Sequence, residues 1–392
     1  MKKKTVIGRR GFLKVAGATT VVVASGTVWR AFEQGVFSTG QGPAYEPWET
    51  WRTDTTDGAL SLVRAAILAA SPHNTQAWHF RVSPSQINLF ADTSRNIGTI
   101  DPDRREMYIG LGCALENLLL AAKANAYDYR LRLMPDSTDS THVAQVASTV
   151  GKAETSELYQ AVPRRHTNRG PYDTSRSIAP KVLKTIQELG IDMADVTVFW
   201  FARDQARARV GDLIIQATEA IIADKQQTAD SAKWERQSWQ DIQRYRDGIT
   251  IDAQGLSPFV RAVVKILPPL SQEQNDEAWL KITKETHVAT AAAFGILVVR
   301  NAKDPAQRVQ GGRGWQRAHL WATTQGIAMH PLNQMPERAD REASMGSEAK
   351  FGNALKELIG DTNWQALMPF RMGYPLRESL PSPRRSVEDV IV

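Results

Sequence analysis

The stretch Ser71–Phe80, with the sequence SPHNTQAWHF, constrains the fold most because it joins a predicted helix to a predicted strand through a polar loop. Alanine and leucine dominate residues 58–70 and predict a helix there. Pro72 disfavours a helical backbone at Ser71, so the helix should end at that point. Trp78 and Phe80 occupy alternate positions, which is typical of a strand. The loop between them either caps the following structure or presents amides to a planar polar ligand, and the loop alone leaves both interpretations open.

The remaining sequence alternates helical and strand patterns and divides into two parts around an insertion. We predict a leader at 1–30, a surface arm at 31–57, a first half at 58–150 and a second half at 151–392. Residues 225–285 are charged, helical and rich in tryptophan, fit neither half, and are interpreted as a lid. The predicted strands are 78–82, 86–91, 129–134, 196–201 and 294–299, with a return at 326–331. The further predicted helices are 109–124, 181–189, 206–223 and 314–324.

The N-terminal residues are predicted to form a targeting signal rather than part of the fold. Lys2, Lys3 and Lys4 precede Gly8-Arg9-Arg10-Gly11-Phe12-Leu13-Lys14 and a weakly apolar run from Val15 to Val28. This order resembles a twin-arginine export signal. The run is short for a membrane span, which needs about 20 apolar residues. The sequence therefore predicts export by the twin-arginine translocation machinery to the periplasm or, if the leader is retained, attachment to the outer face of the membrane.

The basic pI of about 9.3 comes from this leader. Of the 48 Lys and Arg residues in the chain, seven lie among the first 30 residues, where no acid occurs, which leaves 41 basic against 42 acidic residues. Such a balanced body predicts no nucleic-acid partner. Cys113 is the single cysteine and excludes an internal disulfide. The seven histidines show no metal-ligand spacing, and no G-x-S-x-G motif marks a serine nucleophile.

Three later motifs carry polar chemistry, each with a simpler alternative. Arg165-His166-Thr167-Asn168-Arg169 suits a phosphate, since two arginines four apart share a face if the segment is helical, but it could be a surface ion-pair cluster. Gly311-Gly312-Arg313-Gly314 is interpreted as a turn into a helix, and Gln325-Gly326 at the end of that helix as a ligand contact or a plain C-cap. Arg384 and Arg385 belong to a solvated tail or close an anion site.

Together, and in this order, these motifs resemble those of the nitroreductase family of FMN-dependent oxidoreductases. SPHNTQAWHF is similar to the family's Ser-Pro-Ser-x-Asn-x-Gln-Pro-Trp loop, RHTNR to its phosphate motif, Gln325-Gly326 to its Glu-Gly pair, and GYP…SPRR to its closing element. The resemblance runs from about Leu60 to the C-terminus and is weakest over 225–285. Gln325 in place of Glu and Ala77 in place of Pro depart from the family pattern.

The resemblance implies an α+β fold of two nitroreductase-like halves, each a helix-covered antiparallel sheet, related by a pseudo-twofold axis. Family enzymes are dimers with FMN between subunits, whereas here each half lacks the motif that the other carries. The resemblance therefore implies two fused subunits, one composite flavin site and a functional monomer.

By the same resemblance, the phosphate would be held by Arg165, Thr167, Arg384 and Arg385. Arg169 would face the pyrimidine edge or the phosphate, and the flavin N5 would lie beside Gln325 and Gly326. The implied cofactor-binding residues are Ser71, Pro72, His73, Asn74, Arg165, His166, Thr167, Arg169, Gln325, Gly326, Arg384 and Arg385. No side chain is nominated as a catalytic acid, and no metal ligand is predicted.

The function implied is transfer of reducing equivalents from NAD(P)H through FMN to a small acceptor such as a nitro compound or quinone. Two alternatives stay open: a catalytically weak protein that sequesters FMN under the lid, and a binding module that takes no flavin. Cleavage of the leader also stays open.

Overall fold

The computed structural model describes residues 28–52, 58–190, 193 and 195–392. The predicted twin-arginine motif lies outside these residues. The helices are α1 (Glu46–Thr50), α2 (Leu60–Ala66), α3 (Arg105–Ala124), α4 (Glu157–Ala161), α5 (Pro180–Glu188), α6 (Asp204–Ala223), α7 (Lys225–Ala232), α8 (Trp239–Tyr245), α9 (Pro258–Ile266), α10 (Gln272–Ile282), α11 (Pro305–Thr324), α12 (Gln334–Met345) and α13 (Lys350–Ile359). The strands are β1 (Trp78–Ser83), β2 (Gln86–Ala91), β3 (Tyr127–Leu133), β4 (His142–Val150), β5 (Val196–Phe201), β6 (Glu235–Arg236), β7 (Ile249–Thr250), β8 (Ala293–Val299), β9 (Ala328–Pro331) and β10 (Gln365–Gly373). Residues 28–33 are also helical.

The first half contains an antiparallel sheet in the order β1-β2-β4-β3. The β1–β2 hairpin turns where the sequence predicts it, with Ser83 paired to Gln86. Side chains along β2 alternate between half-buried and buried, so one face of the sheet packs inward. Strand β4 was not predicted, because its sequence, His142–Val150, is interrupted by Gln145, Ser148 and Thr149 and lacks a clean apolar alternation.

The second half contains an antiparallel sheet in the order β5-β8-β10-β9. Every residue of β8 is buried, so this central strand is covered on both faces. Leu297 and Val299 belong to the main core shared with α3 and α11, whereas Phe294 and Ile296 pack in a second core with α6, α12 and α13. The predicted α+β class, with helix-covered antiparallel sheets in two halves, is confirmed.

Helices α3 and α11 cross at the centre of the protein, and glycines make the crossing possible. A Cβ at Gly112 would overlap the carbonyl of Val309, and a Cβ at Gly312 would overlap the carbonyl of Ile109. These reciprocal contacts bring the backbones of the two helices together. Among the described helices, α3 alone is long and apolar enough to cross a membrane, but 83% of its apolar window is buried, as in the core helix of a globular protein.

The interpretation of Gly311–Gly314 as a turn into a helix is wrong. These glycines lie in the middle of α11, which begins at Pro305 with Asp304 as its N-cap. Glycine usually weakens a helix, and the sequence alone therefore favours a turn. Close contact with α3 offsets that cost here, since the Cys113 Sγ lies 3.3 Å from the Gly312 carbonyl oxygen.

Two segments cross between the halves. The C-terminal residues return to the first sheet, where the Phe80 amide donates to the Val390 carbonyl (2.8 Å) and Val392 donates to Phe80 (3.0 Å). The arm at 31–57 is not purely a surface segment as predicted, because Tyr45 and Trp48 are buried in the main core. Both crossings bring residues distant in sequence to the loop at Ser71.

Candidate functional site

Four segments meet at one cavity between the two halves. They are the loop after α2, the loop after α4, the C-terminal segment and the part of the insertion that follows α8. The cavity holds about 450 Å³ of space between atoms, including solvent at its mouth. Its lining consists of Ala70, Ser71, His73, Asn74, Arg165, His166, Thr167, Arg169, Gly248, Ile249, Ala253, Ser382 and Arg384.

The loop after α2 has an unusual backbone. His73, Asn74 and Gln76 all adopt positive φ angles, of 45°, 54° and 53°. Residues with side chains rarely adopt this left-handed conformation, and they retain it only where the surrounding structure holds it. The Ser71 Oγ accepts a hydrogen bond from the Gln76 amide (2.8 Å) and closes the loop.

The C-terminal segment clamps this strained loop. The Asn74 Nδ2 donates to the Pro383 carbonyl (2.9 Å), and the Arg384 Nη1 donates to the Asn74 Oδ1 (2.5 Å). The Gln76 Oε1 accepts from the Arg385 amide (2.8 Å), and the Arg385 guanidinium donates to the Gln76 carbonyl (3.1 Å). The clamp therefore fixes where Asn74 and Arg384 stand relative to each other.

The loop after α4 supplies the second wall. It is not helical, so Arg165 and Arg169 do not share a helix face. The chain instead bends around the cavity and brings both side chains to it. Arg165 donates through Nη2 to the Leu68 carbonyl (3.1 Å), and Arg169 donates through Nη1 to the Ala253 carbonyl (3.2 Å).

Among the described residues, the cavity carries buried positive charge with no carboxylate to balance it. Among the described residues, no acid forms an ion pair with Arg165, Arg169 or Arg384, although Arg165 and Arg384 are almost fully buried. The Arg165 Nε and Nη1 and the Arg384 Nε lack any hydrogen-bond partner within the described part of the chain. Buried charges are normally paired. These free donors therefore fit an anion, and forked guanidinium donors fit the oxygens of a phosphate.

The pKa values of Arg165, Arg169 and Arg384 are all lowered in this cavity. Burial lowers the pKa of Arg165 and of Arg169 to about 10. Burial, and then the neighbouring charge of Arg165, lowers the pKa of Arg384 well below its usual value. A bound dianion would reverse these effects, because an opposite charge stabilises the charged form.

Both histidines at the cavity are neutral at pH 7. Burial, followed by Arg169, lowers the pKa of His73 to about 4, and burial, followed by Arg165 and Arg384, lowers that of His166 to about 3. His73 Nε2 lies 2.9 Å from the Ser231 Oγ. The His166 ring contacts Trp48 edge-on, with centroids 4.6 Å apart. Neither ring is therefore a cation at neutral pH in the ligand-free cavity, although each keeps one N–H that can donate a hydrogen bond.

The insertion covers one side of the cavity. The Gly248 amide donates to the Asn74 carbonyl (3.2 Å), which joins the insertion to the loop after α2. Gly255 has a φ of 69° and lies so close to Gly170 that a Cβ at either position would meet the other backbone. Only glycine allows this approach, which brings Ala253 beside Arg169.

Eight of the twelve sequence-predicted residues line the cavity. They are Ser71, His73, Asn74, Arg165, His166, Thr167, Arg169 and Arg384. Pro72 lies behind the loop and packs on α3, where a Cβ at Gly110 would approach its ring to 2.9 Å. Arg385 holds Gln76 rather than facing the cavity.

Gln325 and Gly326 are not brought to this cavity. Both are exposed at the end of α11. Gly326 has a φ of 66°, its amide donates to the Thr323 carbonyl (3.2 Å), and Ile327 donates to Ala322 (2.9 Å). This is the αL C-cap that the sequence left open as an alternative. In this conformation the pair contacts no other part of the site.

Sequence reasoning missed two supporting residues. Trp48 comes from the arm, lies 4.7 Å below the Arg384 guanidinium and donates to the Ser382 carbonyl (2.8 Å). Arg371 on β10 is fully buried and donates to the carbonyls of Asn168 (3.3 Å) and Gly170 (2.9 Å), which fixes the loop after α4. Arg371 had a weak signal, a lone arginine within an otherwise apolar strand.

No protein-family model matches the chain. A stretch of 135 residues is 32% identical to "Putative NAD(P)H nitroreductase Rv3131" of Mycobacterium tuberculosis, and covers 34% of this chain and 38% of that protein. A stretch of 92 residues is 30% identical to "Putative NAD(P)H nitroreductase acg" of the same organism, and covers 24% of this chain and 28% of that protein. The chain thus spans less than two-fifths of the length of either relative.

Solved structures show a looser likeness. A nitroreductase with bound FMN from Desulfitobacterium hafniense is 11% identical, with a TM-score of 0.37, over 61% of this chain and 98% of that one. The FMN-dependent nitroreductase NfnB from Mycobacterium smegmatis, in complex with NADPH, is 16% identical, with a TM-score of 0.35, over 59% of this chain and 96% of that one. Superpositions this loose do not carry residue roles from those proteins to this chain.

Proposed function

We propose that the chain is an FMN-dependent oxidoreductase of the nitroreductase type, which takes reducing equivalents from NAD(P)H and passes them to a small acceptor such as a nitro compound or quinone. The matched stretch of the Mycobacterium tuberculosis relatives, whose names include NAD(P)H nitroreductase, supports this proposal.

One observation carries the proposal. Three guanidinium groups without carboxylate partners among the described residues surround a cavity to which both halves contribute, as the fused-subunit hypothesis requires. A structural ion-pair network would instead place acids among these arginines. The unpaired donors of Arg165 and Arg384 call for a ligand with several anionic oxygens.

In this proposal, Arg165, Thr167 and Arg384 hold the phosphate of FMN. Ser71, Asn74 and Arg169 contact the remainder of the nucleotide, and Gly248 and Ala253 exclude water from one side. Bound FMN supplies two-electron redox chemistry that no side chain of the chain provides. In the ligand-free cavity, the neutral His73 and His166 leave the positive potential to the arginines.

The direct test is the absorbance spectrum of the protein purified from a flavin-sufficient cytoplasm. We expect a yellow protein that releases one FMN per chain on denaturation and oxidises NAD(P)H in the presence of a nitroaromatic acceptor. A colourless protein that takes up no added FMN would instead favour a binding module for another phosphorylated ligand.

A second candidate is a protein that sequesters FMN and turns over little. The insertion favours it, because Gly248, Ile249 and Ala253 wall the cavity and leave less room for a large acceptor. The position of Gln325 and Gly326 outside the cavity also favours it. Bound FMN without NAD(P)H oxidation, with every acceptor tried, would support sequestration over catalysis.

The proposal includes export of the folded, FMN-loaded chain by the twin-arginine pathway, on the basis of Arg9 and Arg10. The single cysteine, Cys113, is buried and needs no oxidising compartment. Replacing both arginines with lysine should retain the protein in the cytoplasm, as measured by cell fractionation. Unchanged export of that variant would contradict this part of the proposal.

A further inference from the structure

Helix α9 exposes apolar side chains and buries charged ones, which is the reverse of a typical surface helix. Phe259, Val263 and Leu267 recur every four residues from the first turn to the C-cap, and all three are exposed, Phe259 by 77%. The charged side chain of the same helix points inward instead: Lys265 is buried and pairs with Asp252 (2.8 Å). A surface helix normally shows the opposite arrangement. The outward apolar face therefore needs a partner.

The exposed face continues onto the first described residues of the chain. Arg30 donates from its guanidinium to the carbonyls of Ile266 and Leu267 at the end of α9, and Lys265 donates to the Gly35 carbonyl (3.2 Å). These bonds hold the N-terminal segment along α9. The apolar patch formed by both elements consists of Trp29, Phe32, Phe37, Phe259, Val260, Val263, Leu267 and Leu270.

The patch joins the leader directly. The weakly apolar run Val15–Val28 ends where the patch begins, at Trp29. Tryptophan next to an arginine is typical of the boundary between the apolar core of a bilayer and water. A leader that enters a bilayer would therefore bring the patch to its surface.

The charges of the patch suit a bilayer better than a second protein. Residues 257–270 contain Arg261 and Lys265 and no carboxylate, and both cations face inward to Asp252. The outward face of α9 can enter the interfacial layer of a membrane without desolvating a charge, whereas Glu33 on the N-terminal segment is exposed beside Phe32 and must stay in water. Lys2, Lys3 and Lys4, at the other end of the leader, are attracted to anionic headgroups on the side of the bilayer where the leader begins.

We propose that this patch is a membrane-docking surface, by which the chain lies on an anionic bilayer with α9 parallel to it while the leader is retained. The inference concerns a surface outside the flavin site and does not depend on the proposed redox function.

The experiment uses the full-length chain with a Phe259→Cys substitution carrying a bimane label. Cys113 does not compete for the label, because burial raises the pKa of its thiol to about 12. The matched control carries the label at Lys184→Cys, an exposed position on α5 outside the patch. Each protein is mixed with vesicles of phosphatidylcholine and phosphatidylglycerol in equal parts, and quenching of bimane by iodide is measured.

We expect iodide to quench both labels in buffer and vesicles to protect the label at 259 about tenfold, since interfacial burial excludes water, while the label at 184 stays quenched. A label at 259 that remains fully quenched on vesicle-bound protein would overturn the proposal. Protection of the label at 259 already in buffer would also overturn the proposal. If light scattering then gives twice the mass of one chain, a second copy covers the patch. If it gives the mass of one chain, the leader covers it. FMN content can be read from the same samples, so failure here is distinct from failure of the redox proposal.

Discussion

Arg165→Met is expected to make the ligand-free protein more stable while weakening its affinity for FMN. Arg165 is fully buried, and its pKa of about 10 lies below the ordinary 12.5. One pKa unit corresponds to about 1.36 kcal/mol, so keeping this side chain charged in the ligand-free fold costs roughly 3 kcal/mol. Methionine fills a similar length without the charge, but leaves the Leu68 carbonyl without its donor, which costs about 1 kcal/mol.

The net expectation is a gain of about 2 kcal/mol in the free energy of unfolding without ligand, or a few degrees in Tm. The affinity for FMN should fall by about 1.5–3 kcal/mol, roughly 10- to 150-fold, because one charge-assisted contact is lost. Calorimetric unfolding of the flavin-free protein and titration with FMN measure the two effects separately.

Arg313→Met is the matched control, because Arg313 is also a buried arginine but has a carboxylate partner, Glu116 (3.0 Å). Removing a paired charge should destabilise the fold by about 1–3 kcal/mol and leave FMN affinity unchanged. If Arg165→Met lowered stability as Arg313→Met does and bound FMN normally, Arg165 would be a structural residue and the anion site would be refuted.

Three further predictions concern the fold and its response to pH. Gly312→Ala should destabilise the protein by about 3 kcal/mol in denaturant titrations, because its Cβ would overlap a carbonyl of α3, whereas Gly352→Ala, with neighbours no closer than 3.8 Å, should be neutral or slightly stabilising. Burial raises the pKa of Glu106 to about 7 and that of its neighbour Glu337 well above the usual value. Stability should therefore fall as pH rises from 4.5 to 7, by about 3 kcal/mol from Glu106 and by a further amount from Glu337. Glu337→Gln should flatten that slope, and an unchanged slope would exclude titration of Glu337 over this range. Burial depresses the pKa of His166, so the stability that its neutral ring contributes is lost as pH falls from 6.5 towards 3. The difference in Tm between His166→Asn and the parent protein should therefore change over that range and be constant above pH 7.

The sequence predicted those elements of the fold that depend on contacts between residues close together in the chain. Strand β5 begins and ends where the apolar run Val196–Phe201 indicates, and the β1–β2 hairpin turns at its proline. The centre of α11 could not be predicted, because Gly311 and Gly312 favour a turn until the facing helix is known. The same limit applies to α9, whose apolar spacing predicts a helix but not that the apolar side faces solvent.

The residues of the candidate site also divide into those that the local sequence suggested and those that it did not. Residue types suggested Arg165 and Arg169 as phosphate ligands, and the structure brings both to one cavity with Asn74. The supporting residues Trp48 and Arg371 contact other parts of the site, Arg384 and the loop after α4, across long sequence separations. They carry no local motif. Gln325 was proposed as a ligand contact from its place beside Gly326 at a helix end and from the family resemblance, and its exposed position leaves that role without structural support.

The proposal of one nucleotide per chain depends on a difference between the two halves. In the second half, the cavity between α5 and β5 is lined mainly by apolar groups such as Ile186, Val198 and Phe370, and no arginine among the described residues lines it. A phosphate there would lose its hydration without gaining a charged donor. We therefore expect one bound phosphate group per chain, at the cavity to which the second half contributes Arg165 and Arg384.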